Sequence, residues 1–139
     1  MIILSVLDEK GGMLFNRRRQ SQDSKLREYI LSMIETTHIW MDQYTAKQFV
    51  SVENKSNLII DDNFLDKAQF GDYCFVEDKH VSPYLDKIEK IILFRWNRKY
   101  PGDFFFDIDV PSEQWMLVNT EEFQGSSHEK ITKEVYIKK

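Results

Sequence analysis

The chain has 139 residues, of which 42% are apolar and 30% charged, and its five glycines and three prolines are few beside ten phenylalanines. Disordered and collagen-like chains have the opposite composition, so both classes are excluded. The length is typical of one domain with one hydrophobic core, and we expect a single domain over residues 1–139. The net charge of −4 argues against a general nucleic-acid-binding surface, which is usually strongly basic.

Two features of the sequence bear on its cellular compartment. Cys74 is the one cysteine, so the chain forms no internal disulfide and nothing indicates export. The apolar segment 1–7 is followed at once by Asp8 and Glu9, which makes it too short for a signal sequence or a membrane span. We therefore expect a cytoplasmic protein that has no membrane partner.

The first half of the chain alternates short strands with helices. The apolar run 2–7 ends in the turn-forming segment 8–12, which predicts a buried strand. From Leu26 to Ile34 the apolar residues recur every three or four positions, which predicts a helix capped by Asp23 or Ser24. Further strands are predicted over 38–41, 57–60 and 73–76, with a helical segment over 43–50 and a capped turn or short helix at 61–65.

The second half of the chain contains mainly strands. Ser82 and Pro83 have the signature of a helix start, because serine caps helices and proline is tolerated in the first turn. Strands are predicted over 88–95, 104–106, 115–119 and 131–137, with a turn at 124–127. Strands alternating with helices, followed by strand after strand, indicate an α/β fold with a mainly parallel sheet and an antiparallel C-terminal hairpin.

The order of these segments resembles that of dihydrofolate reductase. Segment 2–7 is similar to the first strand of that family, 11–13 to its active-site loop and 26–34 to the helix after that loop. Ile39 to Met41, followed by Thr45, resembles the second strand and the helix start that receives the cofactor phosphate. Segments similar to the family's last strands follow in the same order at 87–93, 102–106, 115 and 127–137. The resemblance implies a dihydrofolate reductase-like fold.

Asp23 has two interpretations. By the resemblance it stands, within one residue, where the reductases place the carboxylate that contacts the pterin ring and supports proton delivery. Burial raises the pKa of a carboxylate toward the working pH in that role. The alternative is an N-cap, which needs only an acceptor oxygen for the free N–H groups of the helix. We favour the cap, because aspartate is among the commonest capping residues.

The cofactor side departs from the family's pattern in three places. Asp42 and Gln43 replace a glycine and a basic residue before the helix-start threonine, so a carboxylate stands where an anionic phosphate should approach. Glu77 and Asp78 replace the glycine pair after the fourth strand, and segment 15–20 replaces a proline–tryptophan element. We therefore expect no bound cofactor and no reductase activity, since a fold does not transfer function.

The chain is also similar to short bacterial proteins in segments 15–23, 72–77 and 127–136, and some of these carry a ribonuclease Z name. A nuclease of that metallo-β-lactamase type needs a dense histidine and aspartate cluster to hold two zinc ions. This chain has three isolated histidines, of which we interpret His38 and His128 as strand residues. We predict no metal site, and we interpret as a solvated acidic turn the residues Asp103, Asp107 and Asp109.

Three consecutive arginines, Arg17, Arg18 and Arg19, extended by Lys25 and Arg27, form the most basic segment. On a loop at the strand ends of an α/β sheet they would stand where ligands bind, and guanidinium groups hold oxyanions through two hydrogen bonds. The alternative is a solvated loop whose arginines pair with the excess acids, and the sequence leaves both open. A second basic and aromatic segment, 95–100, is better explained by packing at the sheet margin than by nucleic-acid binding.

Two hypotheses about function follow. We favour a pseudoenzyme, a non-reductase domain whose former cleft binds a small anion, a nucleotide-like ligand or a protein partner around Asp23, Arg17 to Arg19 and Thr45. The alternative is an enzyme, either a reductase with a rebuilt cofactor site or an RNA-processing protein that uses the arginine loop. No set of catalytic serine, histidine and aspartate can be recognised in the sequence, because such sets are assembled in space.

Overall fold

A computed structural model describes residues 1–49 and 57–139. The α-helices there are α1 (Ser24–Met33), α2 (Gln43–Ala46) and α3 (Phe64–Lys67), with 3-10 turns at Lys47–Phe49 and Ser82–Lys87. The strands are β1 (Ile2–Leu7), β2 (Gly12–Phe15), β3 (Arg18–Arg19), β4 (Ile39–Met41), β5 (Leu58–Ile60), β6 (Tyr73–Phe75), β7 (Lys90–Arg95), β8 (Phe104–Phe105), β9 (Trp115–Phe123) and β10 (Ile131–Lys138). Within these described ranges, the helices are all too short or too polar to span a membrane.

Seven of the strands form one mixed sheet in the order β5-β4-β6-β1-β7-β10-β9. The first five of these run parallel, whereas β10 lies antiparallel between β7 and β9. The predicted α/β fold, with a mainly parallel sheet and an antiparallel C-terminal hairpin, is confirmed. The parallel strands are short and apolar because both faces of a parallel sheet are covered.

The two faces of the sheet carry two separate apolar clusters. Successive side chains of β1 point to opposite faces, so Ile3 packs in one cluster and Leu4 in the other. Leu26 and Ile30, spaced four residues apart on α1, are buried against the Leu4 face. Burial of each of these side chains contributes roughly 1.5–3 kcal/mol, so α1 is held firmly against the sheet.

A small second sheet, in the order β3-β2-β8, corrects the prediction for the arginine segment. Arg18 and Arg19 lie on a strand rather than in a loop, paired with Phe15 and Leu14 of β2. Tight hairpin turns usually carry Asn-Gly at their centre, because both central residues need a positive φ. Here the central residues are Asn16 and Arg17, with φ values of 51° and 62°. An arginine in the left-handed region gives no turn signal, so the hairpin could not be recognised from the sequence.

Other boundaries differ from the predictions in smaller ways. The predicted helical segment 43–50 is α2 followed by a 3-10 turn, and Val50 lies outside the described residues. The helix start at Ser82 leads into a 3-10 turn rather than an α-helix. The prediction that the two histidines are strand residues is wrong: His38 precedes β4, and His128 lies in the loop between β9 and β10.

Candidate functional site

Asp23 caps α1 and also holds the loop between β9 and β10. Its side chain is buried, and its Oδ1 accepts hydrogen bonds from the backbone N–H groups of Lys25 and Leu26 at 3.0 and 3.2 Å. The backbone N–H groups of Ser126 and Ser127 donate to Oδ1 and Oδ2, both at 2.9 Å. One carboxylate therefore joins the start of α1 to a loop that lies about a hundred residues further along the chain.

The protonation of Asp23 is set by these donors. Burial raises the pKa of the carboxyl group, but the N–H groups of Ser126 and Ser127 and the ring of His128 outweigh it and hold the pKa below its ordinary value. The pKa rise that the reductase resemblance implied for this carboxyl group is therefore wrong. The group is ionised at neutral pH and has no proton to deliver there.

His128 connects Asp23 to two hydroxyl groups. Its Nδ1 lies 3.1 Å from Oδ2 of Asp23, and its Nε2 lies 2.8 Å from the hydroxyl of Tyr100 and 3.2 Å from Oγ of Ser21. The ring is buried and stacks on Trp96, with ring centroids 4.2 Å apart. An ionised carboxylate can only accept, so Nδ1 of His128 donates to Asp23, and Nε2 faces the two hydroxyl groups.

Asp23 borders a narrow crevice between α1 and the sheet, whose interior has a volume of about 20 Å³, room for about one water molecule. Arg27 lines this crevice, and its Nη1 is buried without a hydrogen-bond partner in residues 1–49 and 57–139. Gln20 also lines the crevice, and its Oε1 is likewise buried without a hydrogen-bond partner in these ranges. Buried polar atoms are nearly always paired in proteins, so this donor and this acceptor are exceptions that a ligand could satisfy.

The three consecutive arginines do not form one site. Arg19 donates from Nε and Nη2 to both oxygens of Glu77, at 3.0 and 2.9 Å, and its guanidinium carbon lies 4.6 Å from the ring centre of Tyr44. Arg17 and Arg18 are exposed. Arg18 and Arg19 line a wider groove of about 520 Å³ outside the crevice. Arg19 lines the crevice as well, whereas Arg17 lines neither.

Thr45 does not line the crevice. It is fully buried in α2, its backbone N–H donates to Oδ1 of Asp42 at 2.9 Å, and its Oγ1 has no hydrogen-bond partner in the described part of the chain. Thr45 therefore lies outside the crevice, although Arg19 contacts the neighbouring Tyr44 through its backbone carbonyl and its ring. Through its hydrogen bond to Asp42, Thr45 also borders a charged cluster at the start of α2.

This charged cluster consists of Asp42, Asp78 and Lys79. Nζ of Lys79 lies 2.7 Å from Oδ2 of Asp42 and 3.5 Å from Oδ1 of Asp78. Burial raises the pKa of Asp78 to about 6, and the charge of Asp42 adds to this effect. Burial acts on Asp42 in the same direction, but hydrogen bonds from Asp78 and Lys79 lower its pKa to about 2. The two carboxyl groups thus share one cation and compete for ionisation.

The mainly parallel seven-strand sheet, the C-terminal hairpin and the crevice beneath α1 together define a dihydrofolate reductase-like fold. The dihydrofolate reductase from Enterococcus faecalis complexed with NADP(H) and RAB-propyl is a similar solved structure. Its TM-score is 0.67 at 10% sequence identity, covering 99% of this chain and 95% of that chain. The fold implied by the sequence resemblance is therefore confirmed.

Comparison of the amino-acid sequence with known families and proteins finds no match. No protein-family model matches the chain, and no curated protein matches it. The similarity to proteins that carry a ribonuclease Z name is not supported. In residues 1–49 and 57–139, no group of three or more histidine, cysteine, aspartate or glutamate side chains could hold a metal ion.

Proposed function

We propose that this chain is a non-reductase domain of dihydrofolate reductase-like fold that binds a small anionic ligand in the crevice beneath α1. The observation that carries the proposal is Arg27, whose Nη1 is buried in the crevice wall without a partner in the described residues. A buried donor left without a partner costs about 1–3 kcal/mol, and more when it is charged. A carboxylate or phosphate oxygen in the crevice would remove this cost through charge-assisted hydrogen bonds.

The acidic residues that line the crevice do not hydrogen-bond to Nη1 of Arg27. Both oxygens of Glu77 are engaged by Arg19. Both oxygens of Asp23 accept from the starts of α1 and of the loop at residues 126–128. Since each carboxylate already has its donors, Nη1 of Arg27 is available as a hydrogen-bond donor to an anion that enters from outside.

The absence of reductase activity is supported by the groups that stand where the resemblance puts the cofactor phosphates. The start of α2 presents Asp42, whose carboxylate is bonded to Lys79. The segment after β6 presents Glu77, paired with Arg19, and the carboxyl group of Asp78. These side chains do not fit a dinucleotide phosphate, because three carboxyl groups with two cations already bonded to them leave no positive site for it.

A first experiment tests the absence of reductase activity. NADPH is titrated into the protein while tryptophan fluorescence is recorded, and dihydrofolate turnover is assayed in parallel. Trp96 lines the crevice and serves as an internal probe. We expect no saturable quenching at micromolar NADPH and no turnover, whereas an active dihydrofolate reductase in the same assay gives both. Saturable quenching would assign the chain to the cofactor-binding reductases.

A second experiment tests anion binding. Thermal unfolding is followed with phosphate, sulfate, small mono- and dicarboxylates and nucleoside monophosphates. A ligand at a hundred times its Kd adds about 2.7 kcal/mol, which raises the Tm by roughly 5 °C or more in a domain of this size. Arg27→Gln should abolish the shift, and Arg98→Gln, which changes an exposed arginine outside the crevice, should keep it. An equal shift in both variants, or no shift with any of these anions, contradicts the proposal.

A further inference from the structure

Ser21, His128 and Asp23 stand in the order hydroxyl, imidazole and carboxylate. Oγ of Ser21 lies 3.2 Å from Nε2 of His128, and Nδ1 of the same ring lies 3.1 Å from Oδ2 of Asp23. This is the hydrogen-bonded order that activates a serine as a nucleophile on several unrelated folds. We infer that Ser21 is a nucleophile, activated by His128 and Asp23, which accepts an acyl group from small esters.

An N-cap alone does not account for this arrangement. Capping of α1 uses Oδ1 of Asp23, whereas Oδ2 is turned toward His128 and the N–H of Ser127. The opposite nitrogen of the buried ring meets two hydroxyl groups, and one of them belongs to the partly exposed Ser21, which lines the crevice. Since Ser21 lies on the crevice wall, we expect an incoming molecule to reach its hydroxyl group from there.

The proposed reaction balances without a cofactor. Oγ of Ser21 forms a bond to the carbonyl carbon of the ester while its proton passes to Nε2 of His128. The bond from that carbon to the leaving oxygen then breaks, and the leaving oxygen takes the proton from Nε2. Water repeats the two transfers on the acyl serine, which releases the carboxylic acid and restores Ser21. Asp23 stays ionised throughout and stabilises the imidazolium ion.

Arg27 supplies positive charge to the same crevice, where negative charge develops on the carbonyl oxygen during attack. Acylation of Ser21 therefore does not depend on a separate anionic ligand. The adduct on Ser21 reports acylation and the thermal shift reports anion binding, so the two proposals can fail independently.

Tyr100 provides a test that distinguishes a nucleophile from a structural hydroxyl. Its hydroxyl group lies closer to Nε2 of His128 than Ser21 does, at 2.8 Å against 3.2 Å, so the two compete for one acceptor. Tyr100→Phe leaves Nε2 to Ser21 alone. We expect acylation of Ser21 to become several-fold faster, although the variant loses a partly buried hydrogen bond.

The experiment treats the folded protein with p-nitrophenyl acetate and, separately, with diisopropyl fluorophosphate, and locates the adduct by peptide mass spectrometry. We expect the adduct on Ser21. Ser21→Ala should abolish it, and His128→Gln and Asp23→Asn should each slow it by about 100-fold or more. Ser32→Ala, which removes an exposed serine at the other end of α1, serves as the matched control.

Two results would overturn the inference. One is folded wild-type protein that carries no adduct on Ser21, and the other is wild-type rates in folded His128→Gln. Circular dichroism establishes whether His128→Gln and Asp23→Asn fold. If they do not, Tyr100→Phe decides, since an unchanged or slower rate of Ser21 acylation contradicts the competition for Nε2.

Discussion

Asp23 is the side chain on which the most segments of the chain depend. Its two oxygens satisfy the start of α1, the N–H groups of Ser126 and Ser127, and the ring of His128. Gly125 is required beside it, because a Cβ at that position would collide with the carboxylate of Asp23. The donors offset the free-energy cost of burying the ionised carboxylate. Removal of the carboxylate would leave all of these donors without a hydrogen-bond partner.

Asp23→Ala should lower the free energy of unfolding by about 3 kcal/mol, the sum of a lost cap and of donors left unpaired in the interior. Asp23→Asn keeps one acceptor oxygen and should lower it by less. The folded-state pKa of Asp23 is below its unfolded value, so its contribution is present above the ordinary aspartate pKa and is lost as the pH falls. Urea denaturation of the three proteins at neutral pH and below about pH 4 measures this.

The prediction for Asp23 has a clear contrary outcome. Suppose that Asp23→Ala and Asp23→Asn both have a free energy of unfolding within about 0.5 kcal/mol of the wild type. That result would show that other contacts hold the loop at 126–128. A gap between wild type and Asp23→Asn that widens at acid pH would contradict the lowered pKa.

At the scale of elements, the pairing of β4 with β6 creates the charged cluster at the start of α2. These strands are parallel neighbours, so the residues that follow them meet at one edge of the sheet. Asp42 follows β4, and Asp78 and Lys79 follow β6, which brings the two carboxyl groups to one ammonium group. Neither segment shows this charge balance by itself.

Asp78→Asn should stabilise the protein near neutral pH. The folded state raises the pKa of Asp78 to about 6, so its stabilising contribution is complete below the unfolded pKa and is lost as the pH rises through 6. Asparagine removes this loss. We expect a gain on the order of 1 kcal/mol at pH 7.5, reduced by partial exposure of the side chain, and no gain at about pH 4.

Thermal unfolding of Asp78→Asn and the wild type across this pH range provides the measurement. Asp86→Asn removes an exposed carboxylate from the 3-10 turn and should show no such dependence. Lower stability of Asp78→Asn at neutral pH would mean that its attraction to Lys79 outweighs burial and the repulsion from Asp42.

For the molecule as a whole, the two edges of the seven-strand sheet are β5 and β9. The strand β9 has nine residues and exposes Met116, Leu117 and Val118 near its start. Its pairing with β10 shifts register between Val135 and Tyr136, an irregularity of the kind that twists an edge away from regular pairing. An apolar edge strand of this length is nevertheless a template for association with other chains.

Val118→Lys should reduce aggregation at high protein concentration without loss of stability. The side chain is exposed, so we expect the free energy of unfolding to stay within about 0.5 kcal/mol of the wild type. Light scattering during concentration provides the measurement. Ser32→Lys adds the same charge on α1, away from the edge, and should not reduce aggregation, because it only moves the net charge from −4 toward zero. Equal effects of the two substitutions would trace the aggregation to net charge rather than to β9.

The sequence by itself determined the strands that lie in the core, the helix α1 and the α/β class, because burial leaves a local mark. Burial of both faces gives a short unbroken apolar run, and burial of one face gives a periodic pattern. The apolar run of β1 and the spacing of Leu26 and Ile30 are of this kind. The hairpin at Asn16 and Arg17 escaped prediction, since its conformation is imposed by strand pairing rather than by its residues.

Only the tertiary structure decided the candidate site. His128 meets Asp23 and Ser21 across 105 and 107 residues of chain, and Arg19 meets Glu77 across 58. Contacts between residues this far apart leave no periodic pattern in the sequence, so Arg19 could not be separated from Arg17 and Arg18, nor His128 from an ordinary strand residue. The packing of loops on the sheet determines which charges are paired, and this leaves Arg27 and Ser21 on the wall of one crevice.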